Sequence, residues 1–182
     1  MVLMNWVRAH HWRILSRTEA QTGILLSLGA LIVALLLVNG CGGGMRNSVV
    51  AEAFGPTSSF AFVANSGSAN ISAFAVSTTG TLSPVAGSPF PAGPGAEFMA
   101  MDSVHKSLFV SNQNSNSLSA FSVDTRTGIL TSVPGSPFLT GAVPHGVAVD
   151  PAGKFVFVGN QNDNSVSVFR INSSNGTLTP AP

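Results

Sequence analysis

Charged side chains are scarce in this sequence. Of its 182 residues, 7 are Asp or Glu and 8 are Lys or Arg, 8% of the chain, against about a quarter in an average domain. The net charge of +1 is unevenly placed: residues 1–40 carry Arg8, Arg13, Arg17 and Glu19, whereas five basic and six acidic residues remain from Cys41 onward. No field is left to attract a phosphate backbone, so nucleic acid is excluded as a partner. Cys41 is the single cysteine. Without a second thiol, an internal disulfide framework or a Cys-x-x-Cys metal or redox site cannot form. The sequence also lacks Gly-x-Ser-x-Gly, His-Glu-x-x-His, a P-loop and Gly-x-Gly-x-x-Gly, which removes serine-nucleophile, zinc-protease and dinucleotide readings. No cofactor and no metal are expected. A chain this short has room for one ordinary domain besides a targeting segment.

What is present is largely apolar. Hydrophobic residues make up 45%, including 12 Phe, which points to a buried core rather than disorder. The first forty residues read as an address. Residues 24–38 (ILLSLGALIVALLLV) form an uncharged run of 15 behind an Arg- and His-bearing stretch, the layout of an export signal. As a helix the run would rise roughly 22 Å, short of the roughly 30 Å hydrocarbon core, so a permanent span is the weaker reading. Its Arg-rich flank should stay cytoplasmic and the remainder be exported. Where the run ends, Val38-Asn39-Gly40-Cys41 resembles a bacterial lipoprotein box, with Asn39 departing from the small or aliphatic residue usual there. That resemblance implies lipidation of Cys41 and an anchored place in the bacterial cell envelope. An uncleaved helical anchor, or a free or buried thiol, are the alternatives.

The body is a repeat of about 48 residues, from about Ser59 to the end. FVAN, FVSN and FVGN begin at Phe62, Phe109 and Phe157, and NISAFAV, SLSAFSV and SVSVFRI begin at Asn70, Ser117 and Ser165. Gly80, Gly128 and Gly176 each open a Gly-x-Leu, GSPF recurs at Gly87 and Gly135, and AMDSVHK (from Ala100) matches AVDPAGK (from Ala148). Within each copy apolar residues alternate at a period of two between Gly, Pro and Asn turns, so each copy is read as four short antiparallel strands. In the last copy these are expected at 145–150, 154–160, 165–172 and from Gly176 onward. Tandem units of this kind predict an all-β fold of β-propeller blades. Val147, Val149, Phe155 and Phe157 are expected to fill the gap between neighbouring blades. A β-sandwich is the rival, but it gives no reason for recurrent Gly-x-Leu and GSPF.

These motifs resemble the lactonase-like β-propellers, the 6-phosphogluconolactonase type with its YVTN-like relatives. The likeness covers roughly 59–182, with copies at about 59–96, 97–144 and 145–182, preceded by a Gly-rich linker and the start of the first blade over 41–58. Seven blades, the number in that family, would need about 336 residues against 142 from Cys41 onward. An incomplete ring of about three blades is therefore expected, as a fragment, a split gene product or one part of an assembly with another chain. Bare strand edges would favour self-association.

Comparison between copies separates scaffold from site. Residues repeated in every copy serve the same local job, so Asp102 and Asp150 are read as turn formers and the Asn-rich hairpins as turn chemistry. Asp163, one carboxylate among asparagines, is a poor cation site. His105 falls opposite Gly153 in a turn read as exposed and inert. Glu97 and His145 differ at matched positions, and both should open an innermost strand, which lines the central channel of a propeller. The resemblance implies hydrolysis of a sugar lactone there by base-activated water, for which Glu97 and His145 are the right chemical types and an arginine could steady the oxyanion. Arg126 and Arg170 lie in or beside outer turns, where solvation is the simpler role. The bland reading of Glu97 and His145 is that they hydrogen-bond an inter-blade turn. The rival function is a non-catalytic envelope module that binds a protein partner or ligand.

Overall fold

Alternation at a period of two makes strands, and short Gly, Pro and Asn turns make those strands antiparallel neighbours. A computed structural model of the chain describes residues 36–38, 47–55 and 58–182. The described residues form three antiparallel sheets. The first contains β1 (Leu36–Val38), β2 (Asn47–Gly55), β3 (Ser58–Asn65), β4 (Asn70–Val76) and β5 (Leu82–Pro84) in that order, with β6 (Phe90–Pro91) also on β4. The second runs β7 (Ala96–Asp102), β8 (Ser107–Asn112), β9 (Ser117–Val123) and β10 (Leu130–Ser132), with β11 (Phe138–Leu139) also on β9. The third runs β12 (Pro144–Val149), β13 (Phe155–Asn160), β14 (Ser165–Ile171) and β15 (Leu178–Pro180). The one helical turn among the described residues is a 3-10 segment, Gln113–Ser115.

The internal match of the sequence reappears as register. Phe62, Phe109 and Phe157 stand opposite Val50, Ala100 and Ala148. The Asn that closes each Phe-Val-x-Asn has one job throughout. Asn65, Asn112 and Asn160 donate from Nδ2 to the hydroxyls of Ser72, Ser119 and Ser167 at 2.9, 2.8 and 2.9 Å, pinning the second strand to the third. In the hairpins between them, Asn116 and Asn164 take left-handed φ of 48° and 47°, the conformation asparagine tolerates best after glycine.

The sheets pack face to face through two apolar layers. Between the first and second lie Phe60, Phe62 and Ile71 against Leu108, Val110 and Phe121, among others. Between the second and third lie Phe109, Leu118 and Ala120 against Val156, Val158, Phe169 and Ile171. Burying each such large side chain contributes about 1.5–3 kcal/mol before entropy is charged against it. The leucines of the second and third Gly-x-Leu turns, Leu130 and Leu178, are buried in these layers, whereas Leu82 of the first is exposed. The first strands β2, β7 and β12 lie next to one another, each belonging to its own sheet.

One expectation requires correction. Phe157 does not fill a gap between sheets: it is 37% exposed, and its neighbours Val156 and Val158 face the second sheet instead. Alternation puts Phe157 on the opposite face of β13, which no further sheet covers among the described residues. Phe155 shares that face and stacks under the Arg170 guanidinium at 5.1 Å. Val147 and Val149 do pack against the inter-sheet layer. At the end of the apolar N-terminal run, Leu36–Val38 form a strand paired with Val49 to Asn47. The remainder of that segment and Cys41 lie outside the described residues, and no helix among those described is long and apolar enough to cross a membrane.

Candidate functional site

A strand carries side chains alternately to its two faces, and a break in the ladder re-aims the ones beside it. In the second and third sheets the ladder of the first strand is broken at the start. Ala96 faces Asn112 and Met99 faces Val110, so Glu97 and Phe98 together stand against Ser111. Pro144 faces Asn160 and Val147 faces Val158, so His145 and Gly146 stand against Gly159. Each is a β-bulge, a device that turns a side chain out of the pleat. The first sheet has no bulge there, and Ser48 simply faces Ala64.

The two bulges bring the two variable residues together. Glu97 Oε1 lies 3.9 Å from His145 Nε2, with the glutamate side chain 3% exposed and the imidazole 31% exposed. The carboxylate is thus the buried member and the histidine the one that meets solvent. Phe98 covers the imidazole, ring centroids 4.1 Å apart and tilted by 45°. Beneath them, Ser111 Oγ accepts a hydrogen bond from the Phe98 amide at 3.1 Å and donates to the His145 carbonyl at 2.9 Å. Ser48 Oγ donates to the Glu97 carbonyl. The arrangement sets a buried carboxyl group beside a partly exposed imidazole, the residue types that acid–base chemistry uses.

The other candidates lie elsewhere. Arg126 sits in the β9–β10 turn, where its amide donates to Asp124 Oδ1 at 2.8 Å, and Arg170 lies over Phe155 on the open face of the third sheet. Neither described arginine belongs to the Glu97–His145 cluster. Asp163 gives its carboxylate to the Ala142 amide. Asp102 and Asp150 do form Asx turns, accepting from Val104 at 2.9 Å and from Ala152 at 3.2 Å. The Phe155 amide, above all, holds the Asp150 carboxyl below its ordinary range, with the Lys154 and Ala152 amides assisting. The Arg126 amide does the same for Asp124.

His105 is neither exposed nor idle. Its Nδ1 is 2.7 Å from Asp102 Oδ2, with side chains 19% and 1% exposed. A Cβ at Gly153 would sit 2.8 Å from both Asp102 Oδ1 and His105 Nδ1. The residue that aligned with His105 in sequence is therefore its neighbour across the sheets, and the Asp–His pair buttresses that junction.

Sequence reasoning missed Ser48, Phe98 and Ser111. A signal existed for Ser111, which occupies the x of Phe-Val-x-Asn where the other copies have Ala64 and Gly159. The bulges leave no mark in the spacing of the repeat, so Phe98 could not be paired with His145.

A family model described as "Lactonase, 7-bladed beta-propeller" matches residues 52–182. The chain belongs to this lactonase family of β-propellers. Among solved structures, the periplasmic gluconolactonase of Pseudomonas aeruginosa is 26% identical with a TM-score of 0.66, over 76% of this chain and 39% of that one. A candidate 6-phosphogluconolactonase from Bacteroides fragilis is 26% identical with a TM-score of 0.60, over 66% of this chain and 34% of that one. A similar candidate from Bacteroides uniformis, at 23% identity and TM-score 0.61, adds support for the fold alone. The chain thus spans between a third and two fifths of the length of these relatives. No curated protein matches it. Within the family frame, the three sheets correspond to successive blades and β2, β7 and β12 to their first strands.

Proposed function

We propose that this lactonase-family chain contributes three blades of a propeller that hydrolyses a sugar lactone, with His145 as the base and Glu97 as its partner. The observation that carries the reading is the meeting of Glu97 and His145, raised on bulges from adjacent first strands. In this reading the partly exposed imidazole of His145 takes a proton from water, with Glu97 Oε1 3.9 Å from its Nε2. The water oxygen then bonds to the lactone carbonyl carbon, and the ring C–O bond breaks as the imidazolium returns the proton to the leaving oxygen. The product is the open hydroxy acid. Likeness to a periplasmic gluconolactonase supports an exported location, and the lipoprotein-like sequence at Cys41 supports anchoring in the envelope by a lipid.

The test is hydrolysis of gluconolactone and its 6-phosphate by the full chain. His145→Ala should lower kcat/KM by about 100-fold or more and Glu97→Gln by about 10-fold or more, with thermal midpoints little changed. One observation favours a second reading, a ligand- or partner-binding envelope module without catalysis: no described arginine is placed to steady an oxyanion beside the pair. A parent chain that binds lactone but does not hydrolyse it would select that reading.

A further inference from the structure

We propose that Ser111, helped by Ser48, is a positioning residue that sets the Glu97–His145 geometry from the preceding sheet. A bulge costs the ladder a hydrogen bond and leaves its backbone free to shift, so a side chain carried on one is only as well placed as whatever anchors that backbone. Here the anchor comes from outside the bulged strand. Ser111 is fully buried, and its hydroxyl has one proton and two lone pairs. It accepts from the Phe98 amide at 3.1 Å, filling the gap in the β7–β8 ladder, and spends its proton on the His145 carbonyl at 2.9 Å. The same oxygen is 3.4 Å from the Phe98 carbonyl, the poorer acceptor. One hydroxyl thereby ties together the two bulges that carry the site.

Ser48 repeats the device one sheet earlier, its hydroxyl donating to the Glu97 carbonyl while the residue is 2% exposed. Each bulged site residue thus has its own carbonyl held by a buried serine of the sheet before it. The matched positions explain why this is not scaffold chemistry. Ala64, opposite an unbulged Ser48, has no hydroxyl, and Gly159, opposite the His145 bulge, has no side chain. The hydroxyl is present at this position only where it meets a bulge and a following bulge together.

This inference rests on the lactonase reading for its catalytic consequence but not for its geometry, and the experiment separates the two. The imidazole of His145 lies under the Phe98 ring, so its ring protons carry a ring-current shift that reports their contact. In the full chain, Ser111→Ala should lose that shift, with His145 moving toward the value of an unfolded peptide, while core signals such as those of Phe62 and Val158 stay in place. Ser111→Thr, which keeps the hydroxyl, should retain it, and Ser48→Ala should disturb the Glu97 signals and leave the Phe98–His145 contact. If the parent hydrolyses lactones, Ser111→Ala should lower kcat about 10- to 100-fold with KM changed less than about threefold, as expected of misplacement rather than lost binding. An inactive parent overturns the lactonase reading and leaves the spectroscopic test standing. An unchanged His145 shift in Ser111→Ala, or an equal loss in Ser111→Thr, overturns the positioning role.

Discussion

Gly80 and Gly128 open the same Gly-x-Leu turn with nearly the same backbone, φ +83° and +75°, yet an added methyl would meet quite different surroundings. At Gly80 a Cβ has nothing within 4 Å, whereas at Gly128 it would overlap Cδ1 of Phe60 and lie 2.7 Å from its Cε1. Phe60 belongs to the preceding sheet and is 4% exposed, with its ring held in the inter-sheet layer. Replacement by alanine therefore carries the left-handed strain, about 1–2 kcal/mol, at both positions. Only at Gly128 does it add the cost of pushing an aromatic ring out of a packed layer, about 1–3 kcal/mol. Gly80→Ala should lose about 1–2 kcal/mol and Gly128→Ala about 2–5 kcal/mol, a difference of several degrees in thermal midpoint for a chain this size. Urea or thermal unfolding followed by near-ultraviolet circular dichroism measures it, with Phe60→Leu in the Gly128→Ala background as a relief variant that should recover part of the excess. Equal losses at the two glycines would refute the claim that the turn of one blade is close-packed on the sheet before it.

The carboxyl of Asp150 is held below its ordinary value of 3.8, so it stabilises the fold above the unfolded-state pKa and loses that contribution as pH falls through the lowered value. Asp150→Asn should be less stable than the parent at neutral pH and converge with it in acid; a gap in unfolding midpoints that persists in strong acid would contradict this. On the open face of the third sheet, Phe157 and Val166 are 37% and 60% exposed, where the matched Phe109 and Leu118 are fully buried. Sedimentation of the full chain should show association that Val166→Lys with Phe157→Ser reduces by at least several-fold in apparent constant; a monomeric parent would refute a sticky face. Lipidation of Cys41 predicts that Cys41→Ser moves the chain from the membrane to the soluble fraction, and unchanged retention would point to an uncleaved helix.

The repeat alone determined the strands, because a period of two, interrupted by glycine and asparagine that tolerate left-handed φ, leaves the backbone few other choices. His145–Asp150 and Ser165–Asn172 were legible to within a residue or two of Pro144–Val149 and Ser165–Ile171. Copy-to-copy comparison also singled out Glu97 and His145, since side chains that break a repeat are not serving it. Which face of a strand is covered was decided by tertiary structure: Phe109 and Phe157 hold matched positions in the repeat, but Phe109 lies in the layer between the second and third sheets whereas Phe157 is 37% exposed. The bulges likewise belong to tertiary structure, because an extra residue is accommodated by pairing between strands, not by spacing along one. They are what turn Glu97 and His145 toward each other, and the hydroxyl of Ser111 gains its meaning only from lying between them.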